Sequence, residues 1–138
     1  MLNTLILTIG MVLFTVQPVL AFPPMPSSFW GTVKVNGASV AAGTVVSAKI
    51  NGVQYASSIV SSYQGDIYYS LDIPGDEPVS PGTIEGGVEG DTIVFYIGTI
   101  KANQTATWHG GTIISLNLTV YTNIEPTAFT IFLPLILR

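Results

Sequence analysis

The chain has 138 residues, 48% of them hydrophobic and only 9% charged, with 4 Lys+Arg against 8 Asp+Glu, a net charge of −4, one His and no Cys. So few charges, against roughly 25% in ordinary soluble domains, exclude a nucleic-acid binder that neutralises phosphates with clustered Lys and Arg. The lack of Cys excludes a disulfide scaffold, a thiol nucleophile and a thiolate metal site, and the apolar content excludes wholesale disorder.

Residues 5–16 are uncharged and largely apolar, Pro18 stops a helix, and Val19-Leu20-Ala21 supplies residues that suit a signal peptidase. Phe22-Pro23-Pro24-Met25-Pro26 cannot continue a helix. Residues 1–21 therefore read as a secretory signal peptide cut after Ala21, which sends the mature chain outside the cell or to its surface. No Lys or Arg precedes Lys34, so the basic start of a leader is missing. A retained anchor is the alternative, since about 20 apolar residues span a bilayer; contact with membrane is expected only through such an uncleaved leader. The organisation predicted is a signal peptide over 1–21, a Pro-rich linker over 22–28, one β-sandwich domain over 29–121 and an apolar C-terminal tail over 122–138.

The middle of the chain is built for strands. Residues 29–121 hold 11 Val, 10 Ile and 9 Thr against 3 Leu, and β-branched side chains favour a pleated surface over a helix. Apolar residues alternate with polar ones: Phe29, Gly31, Val33 and Val35; Val46, Ala48 and Ile50; Ile67, Tyr69, Leu71 and Ile73; Ile93, Phe95 and Ile97; Ile114, Leu116, Leu118 and Val120. Turn signals separate the runs at Asn36-Gly37, Asn51-Gly52, Gln64-Gly65, Gly90-Asp91, Ala102-Asn103 and Gly110-Gly111. Seven strands are predicted, at about 29–36, 43–50, 53–61, 66–73, 91–98, 104–109 and 112–121. The fold class expected is all-β: a single antiparallel seven-stranded sandwich, an immunoglobulin-like or transthyretin-like Greek key.

Three stretches carry a family resemblance: Phe29-Trp30-Gly31-Thr32-Val33-Lys34-Val35-Asn36-Gly37; Ala42-Gly43-Thr44-Val45-Val46-Ser47-Ala48; and Gly65-Asp66-Ile67-Tyr68-Tyr69-Ser70-Leu71-Asp72-Ile73-Pro74-Gly75. With Glu89-Gly90-Asp91-Thr92-Ile93-Val94-Phe95-Tyr96-Ile97-Gly98 they resemble the carboxypeptidase regulatory-like β-sandwich domain of secreted bacterial and archaeal surface proteins. The loop over 74–90 is longer than the simpler family pattern. The resemblance implies a non-catalytic accessory module with a carbohydrate-binding-like fold, and a fold alone does not transfer a ligand.

Seven of the eight acids, Asp66, Asp72, Asp76, Glu77, Glu85, Glu89 and Asp91, fall within 66–91 and bracket a Pro- and Gly-rich loop over 74–90. Loops that long are often functional. Asp72, Asp76, Glu77, Glu85, Glu89 and Asp91 are therefore candidate Ca²⁺ ligands, the one cofactor the sequence suggests, because that ion takes several hard oxygens. The bland alternative is a solvated acidic loop, and the spacing fits no EF-hand. His109, the single histidine, sits beside Gly110-Gly111 and reads as a turn residue. No Gly-x-Ser-x-Gly elbow is present, and no catalytic residue is assigned.

Aromatic residues remain for recognition: Trp30, Tyr63, Tyr68, Tyr96 and Trp108 suit stacking on sugar rings where they share one outer face. Tyr68 and Tyr96 oppose the apolar faces of their strands, and with Trp30 they are the candidate ligand-binding residues, suited to stacking on sugar rings. Trp108 shares parity with Ala106 and is expected in the core. The segment 129–137 is apolar but interrupted by Pro134. It reads either as a strand that adds to an open sheet edge of its own or a neighbouring sandwich, or as a surface-retention signal similar to short endings of exported bacterial proteins. The function expected is a secreted, non-catalytic module with a structural or adhesive role, its partner a cell-surface protein or polysaccharide and not a nucleic acid. A carbohydrate-binding module is the alternative, and a small hydrolase built on the acidic loop is third.

Overall fold

A computed structural model describes Phe22, residues 24–77, Val79 and residues 82–122; residues 1–21, expected to form a leader, and the segment 123–138, expected to form a tail, lie outside the described residues. Among the described residues ten strands follow in chain order: β1 (Ser27–Val35), β2 (Ala38–Ser39), β3 (Val45–Ile50), β4 (Val53–Ile59), β5 (Ser61–Tyr63), β6 (Asp66–Ile73), β7 (Thr92–Ile97), β8 (Ile100–Thr107), β9 (Ile113–Ser115) and β10 (Leu118–Val120). Among the described residues there is no helix.

The strands form two sheets. One has the order β10-β1-β6-β5, with β2 and β9 also paired to β1; the other has the order β4-β3-β7-β8. Their inner faces carry the predicted alternation: Phe29 and Val33 of β1, Tyr69, Leu71 and Ile73 of β6, and Leu118 and Val120 of β10 meet Val46, Ala48 and Ile50 of β3 and Ile93, Phe95 and Ile97 of β7. Phe29 and Phe95 cross the interface edge to face, with centroids 5.3 Å apart and planes at 69°. Each such side chain contributes about 1.5–3 kcal/mol when fully buried, so the shared core holds the sheets together without a staple.

Several strands depart from the sequence reading. β1 starts at Ser27, within the expected linker, because Ser28 N–H donates to the Thr112 carbonyl at 2.8 Å and Ser27 Oγ lies 3.1 Å from Thr112 Oγ1. The last strand thus enters the sheet beside the start of β1, and β1 pairs with β9 and β10 in parallel rather than antiparallel fashion. That strand was expected unbroken over 112–121 and is interrupted at Leu116-Asn117, where Asn117 Oδ1 accepts the Thr32 N–H at 2.9 Å. Gly31 makes the interruption possible, since a Cβ there would stand 2.4 Å from the Leu116 carbonyl oxygen.

The turn expected at Ala102-Asn103 is instead part of β8. Gly98, at φ 59°, starts the reversal, and Ile97 pairs with Ile100. Further on, Val94 pairs with Thr105 and Tyr96 with Lys101, so a bulge over 102–104 absorbs the extra residues. The bulge aims Gln104 at the other sheet: its Oε1 accepts the Thr119 N–H and its Nε2 donates to Thr119 Oγ1, both at 2.8 Å. A side-chain amide here does the work of a missing strand and closes the β8–β10 side of the sandwich. The Asn36-Gly37, Asn51-Gly52 and Gln64-Gly65 turns occur where predicted, each with both residues at positive φ.

Candidate functional site

Trp30 of β1 and Tyr68 of β6 sit on the outer face of the first sheet. Their cross-strand partners are Ser70 and Thr32, so the two rings are diagonal neighbours, within reach of one another for large side chains. Register extends the cluster to β5: Ser61 pairs with Tyr68 and Tyr63 with Asp66, which puts Tyr63 on the same face as Tyr68. Trp30, Tyr63, Tyr68, Tyr69 and Ser70 line an open groove of about 420 Å³. Trp30 is 46% and Tyr63 66% exposed, and it is their grouping with Tyr68 around one groove, rather than exposure alone, that suits an interaction site. None of the lining residues is a carboxylate or an imidazole. The groove spans three strands, about 10 Å at the usual strand spacing.

Tyr63 is one of the aromatics the sequence offers for stacking but not one of the three chosen from them, because it falls between the strands expected over 53–61 and 66–73; the structure places it on the three-residue β5. Parity with Tyr68 across the Gln64-Gly65 turn is the signal that finds it. Tyr96 goes elsewhere: it lies on the second sheet, where Lys49 Nζ stands 4.6 Å from its ring centroid. The structure thus brings Trp30 and Tyr68 together and separates Tyr96 from both.

The acidic loop is tied at its base. Gly87 N–H donates to the Pro74 carbonyl at 2.9 Å and Asp76 N–H to the Gly87 carbonyl at 3.0 Å. Trp108, 3% exposed as expected of a core residue, seals this end of the sandwich and donates its indole N–H to the Ile73 carbonyl at 3.1 Å. Glycine is required around it: a Cβ on Gly87 would meet the indole at 2.6 Å, and one on Gly75 at 2.9 Å.

Four of the six carboxylates proposed for Ca²⁺, Asp72, Asp76, Glu89 and Asp91, have local partners. Asp72 accepts from Ser28 Oγ at 2.6 Å, Asp76 from the Glu85 N–H at 2.9 Å, and Asp91 from the Val88 N–H at 3.0 Å. Among the described residues no three acidic or histidine side chains converge as a metal-holding group. Glu89 pairs with His109 Nδ1; that hydrogen bond first, then the imidazole charge and the Gly110 N–H, hold its carboxyl below the usual range despite partial desolvation. A second cavity of about 440 Å³ lies here, lined by Pro24, Asp76, Gly87, Val88, Glu89, Trp108 and Gly110.

No known protein family, curated protein or solved structure matches the chain.

Proposed function

We propose that this chain is a secreted, non-catalytic sandwich module of the carboxypeptidase regulatory-like kind, with immunoglobulin- or transthyretin-like topology, acting in adhesion at the cell surface. Its recognition element is the Trp30–Tyr63–Tyr68 face, and its ligand is a surface polysaccharide. The observation that carries this reading is the gathering of three outward aromatic rings from three strands around one open groove. Sugar rings present flat C–H faces that stack on such aromatics, and Ser70 supplies a hydroxyl for an equatorial OH. A rigid sheet fixes the rings before binding, which limits the ordering cost.

The reading is non-catalytic because what supports it is a stacking surface, lined by Trp30, Tyr63, Tyr68, Tyr69 and Ser70 without a carboxylate or imidazole. The test is affinity electrophoresis in gels containing β-glucan, xylan, chitin oligomers or peptidoglycan fragments. Unaltered protein is retarded by one of them; Tyr63→Ala and Tyr68→Ala each lose about 1 kcal/mol, roughly fivefold in Kd, and Tyr96→Ala loses nothing. No retardation by any polymer, or retardation lost on changing Tyr96, contradicts the proposal.

A further inference from the structure

The two sheets have four edges, and three are blunted. β5 is three residues long. The β9–β10 edge is broken at Leu116-Asn117, and Gln104 already takes the Thr119 N–H. β8 carries the bulge over 102–104 and Lys101. β4 is different: it pairs only with β3, runs seven residues, Val-Gln-Tyr-Ala-Ser-Ser-Ile, and has neither a charge nor a proline. Charges, prolines, bulges and brevity are the usual protections of an edge; β4 has a bulge at Tyr55, between the Ala48–Ala56 and Lys49–Gln54 pairs, but it is neither short nor charged and has no proline, and residues 56–59 beyond the bulge keep a regular register. Ile59 at its end is 67% exposed beside its cross-strand partner Val45 at 45%. Ser58 of β4 holds the one buried side-chain oxygen without a hydrogen-bond partner among the described residues.

The chain itself contains a matching strand. Between Pro126 and Pro134 lie seven residues, Thr-Ala-Phe-Thr-Ile-Phe-Leu, uncharged and rich in β-branched and aromatic types. The two prolines limit ladder pairing to that run, and its length equals that of β4. Whose edge it meets follows from reach. Thr122 is bonded to Asn36 at the β10 side of the first sheet, while β4 is the far edge of the second. Three strand spacings and one sheet separation put the two edges about 17 Å apart. The five steps from Thr122 to Thr127 span at most about 17 Å when fully extended, and the path around the sandwich is longer than the straight line.

We propose that residues 127–133 of one copy add as a strand to β4 of a second copy, a head-to-tail contact that links modules into chains or rings. The strand packs beside Ile59, and whichever of Thr127 and Thr130 faces the core side, the two lying on opposite faces of a strand, offers a hydroxyl to the orphaned Ser58. The absence of Cys makes the test clean. Full chains carrying Ser57→Cys are mixed with full chains carrying Thr130→Cys and treated with a short bis-maleimide. A cross-linked dimer that needs both variants is expected. Light scattering should show masses above that of one chain, falling to a single chain for Ile59→Lys and for Ile131→Pro, with the melting temperature of the sandwich retained in both. Three results overturn the proposal: a single-chain mass for the unaltered protein, association that survives Ile131→Pro, or a doubly substituted chain that cross-links within itself in dilute solution.

Discussion

The Tyr69 hydroxyl donates to the Leu116 carbonyl at 2.7 Å, tying β6 to the interruption between β9 and β10 across the intervening β1. The contact stands next to Gly31, whose missing side chain lets Leu116 approach. Tyr69 is 2% exposed, and burial pushes its hydroxyl above the ordinary phenol range.

Tyr69→Phe is expected to cost about 1–3 kcal/mol, because it leaves a part-buried carbonyl without its donor. The same residue sets an alkaline limit. An unfolded phenol ionises near pH 10 while the folded one stays protonated, so the unfolded state gains by releasing the proton. Stability from this group is full below about pH 10 and declines as pH rises above it. Urea melts at rising pH should show this decline in the unaltered protein and a flatter limb in Tyr69→Phe.

Trp108 closes the loop end of the sandwich. Trp108→Ala is expected to cost about 3–5 kcal/mol, as for other large core truncations, and Gly87→Ala about 1–3 kcal/mol by overpacking against the indole. Thermal melts check both. If Gly87→Ala were neutral, the close packing of the loop on Trp108 would be refuted.

Glu89 supplies the acid-side counterpart. Its carboxyl is held below the ordinary value chiefly by the hydrogen bond with His109. A lowered folded pKa means that the tie is present above the ordinary carboxylate range and is lost as pH falls through the lowered value. Carbon-detected NMR titration should place Glu89 below a free glutamate, and His109→Ala should return it most of the way, leaving only the Gly110 N–H to hold it down.

Much of the fold was legible from alternation, because a period of two fixes which residues enter the core: Phe29, Val46, Leu71, Phe95 and Leu118 are all buried as their patterns indicate. What alternation does not encode is a bulge. Ala102-Asn103 has turn chemistry, yet the reversal is made at Gly98, and the pair, with Ala102 buried in the core, forms the bulge that carries Gln104 to Thr119. Nor does it encode the direction of the last strand, which depends on a contact between Ser27 and Thr112, 85 positions apart. For the candidate site, side-chain parity found Tyr68 and Trp30 but could not say that Tyr96 belongs to a different sheet. The acidic residues were visible as a cluster in sequence, while their individual backbone and hydroxyl partners emerged only from the loop's path.

The claim that the Trp30–Tyr63–Tyr68 face binds sugar has a direct optical test, because the chain has two tryptophans in opposite environments: Trp30 is 46% and Trp108 3% exposed. Intrinsic fluorescence is titrated with the polysaccharide that retards the protein most. A saturable blue shift with protection from acrylamide quenching is expected in the unaltered chain, absent in Trp30→Phe and present in Trp108→Phe. Binding that leaves Trp30 emission and quenching unchanged would contradict the account.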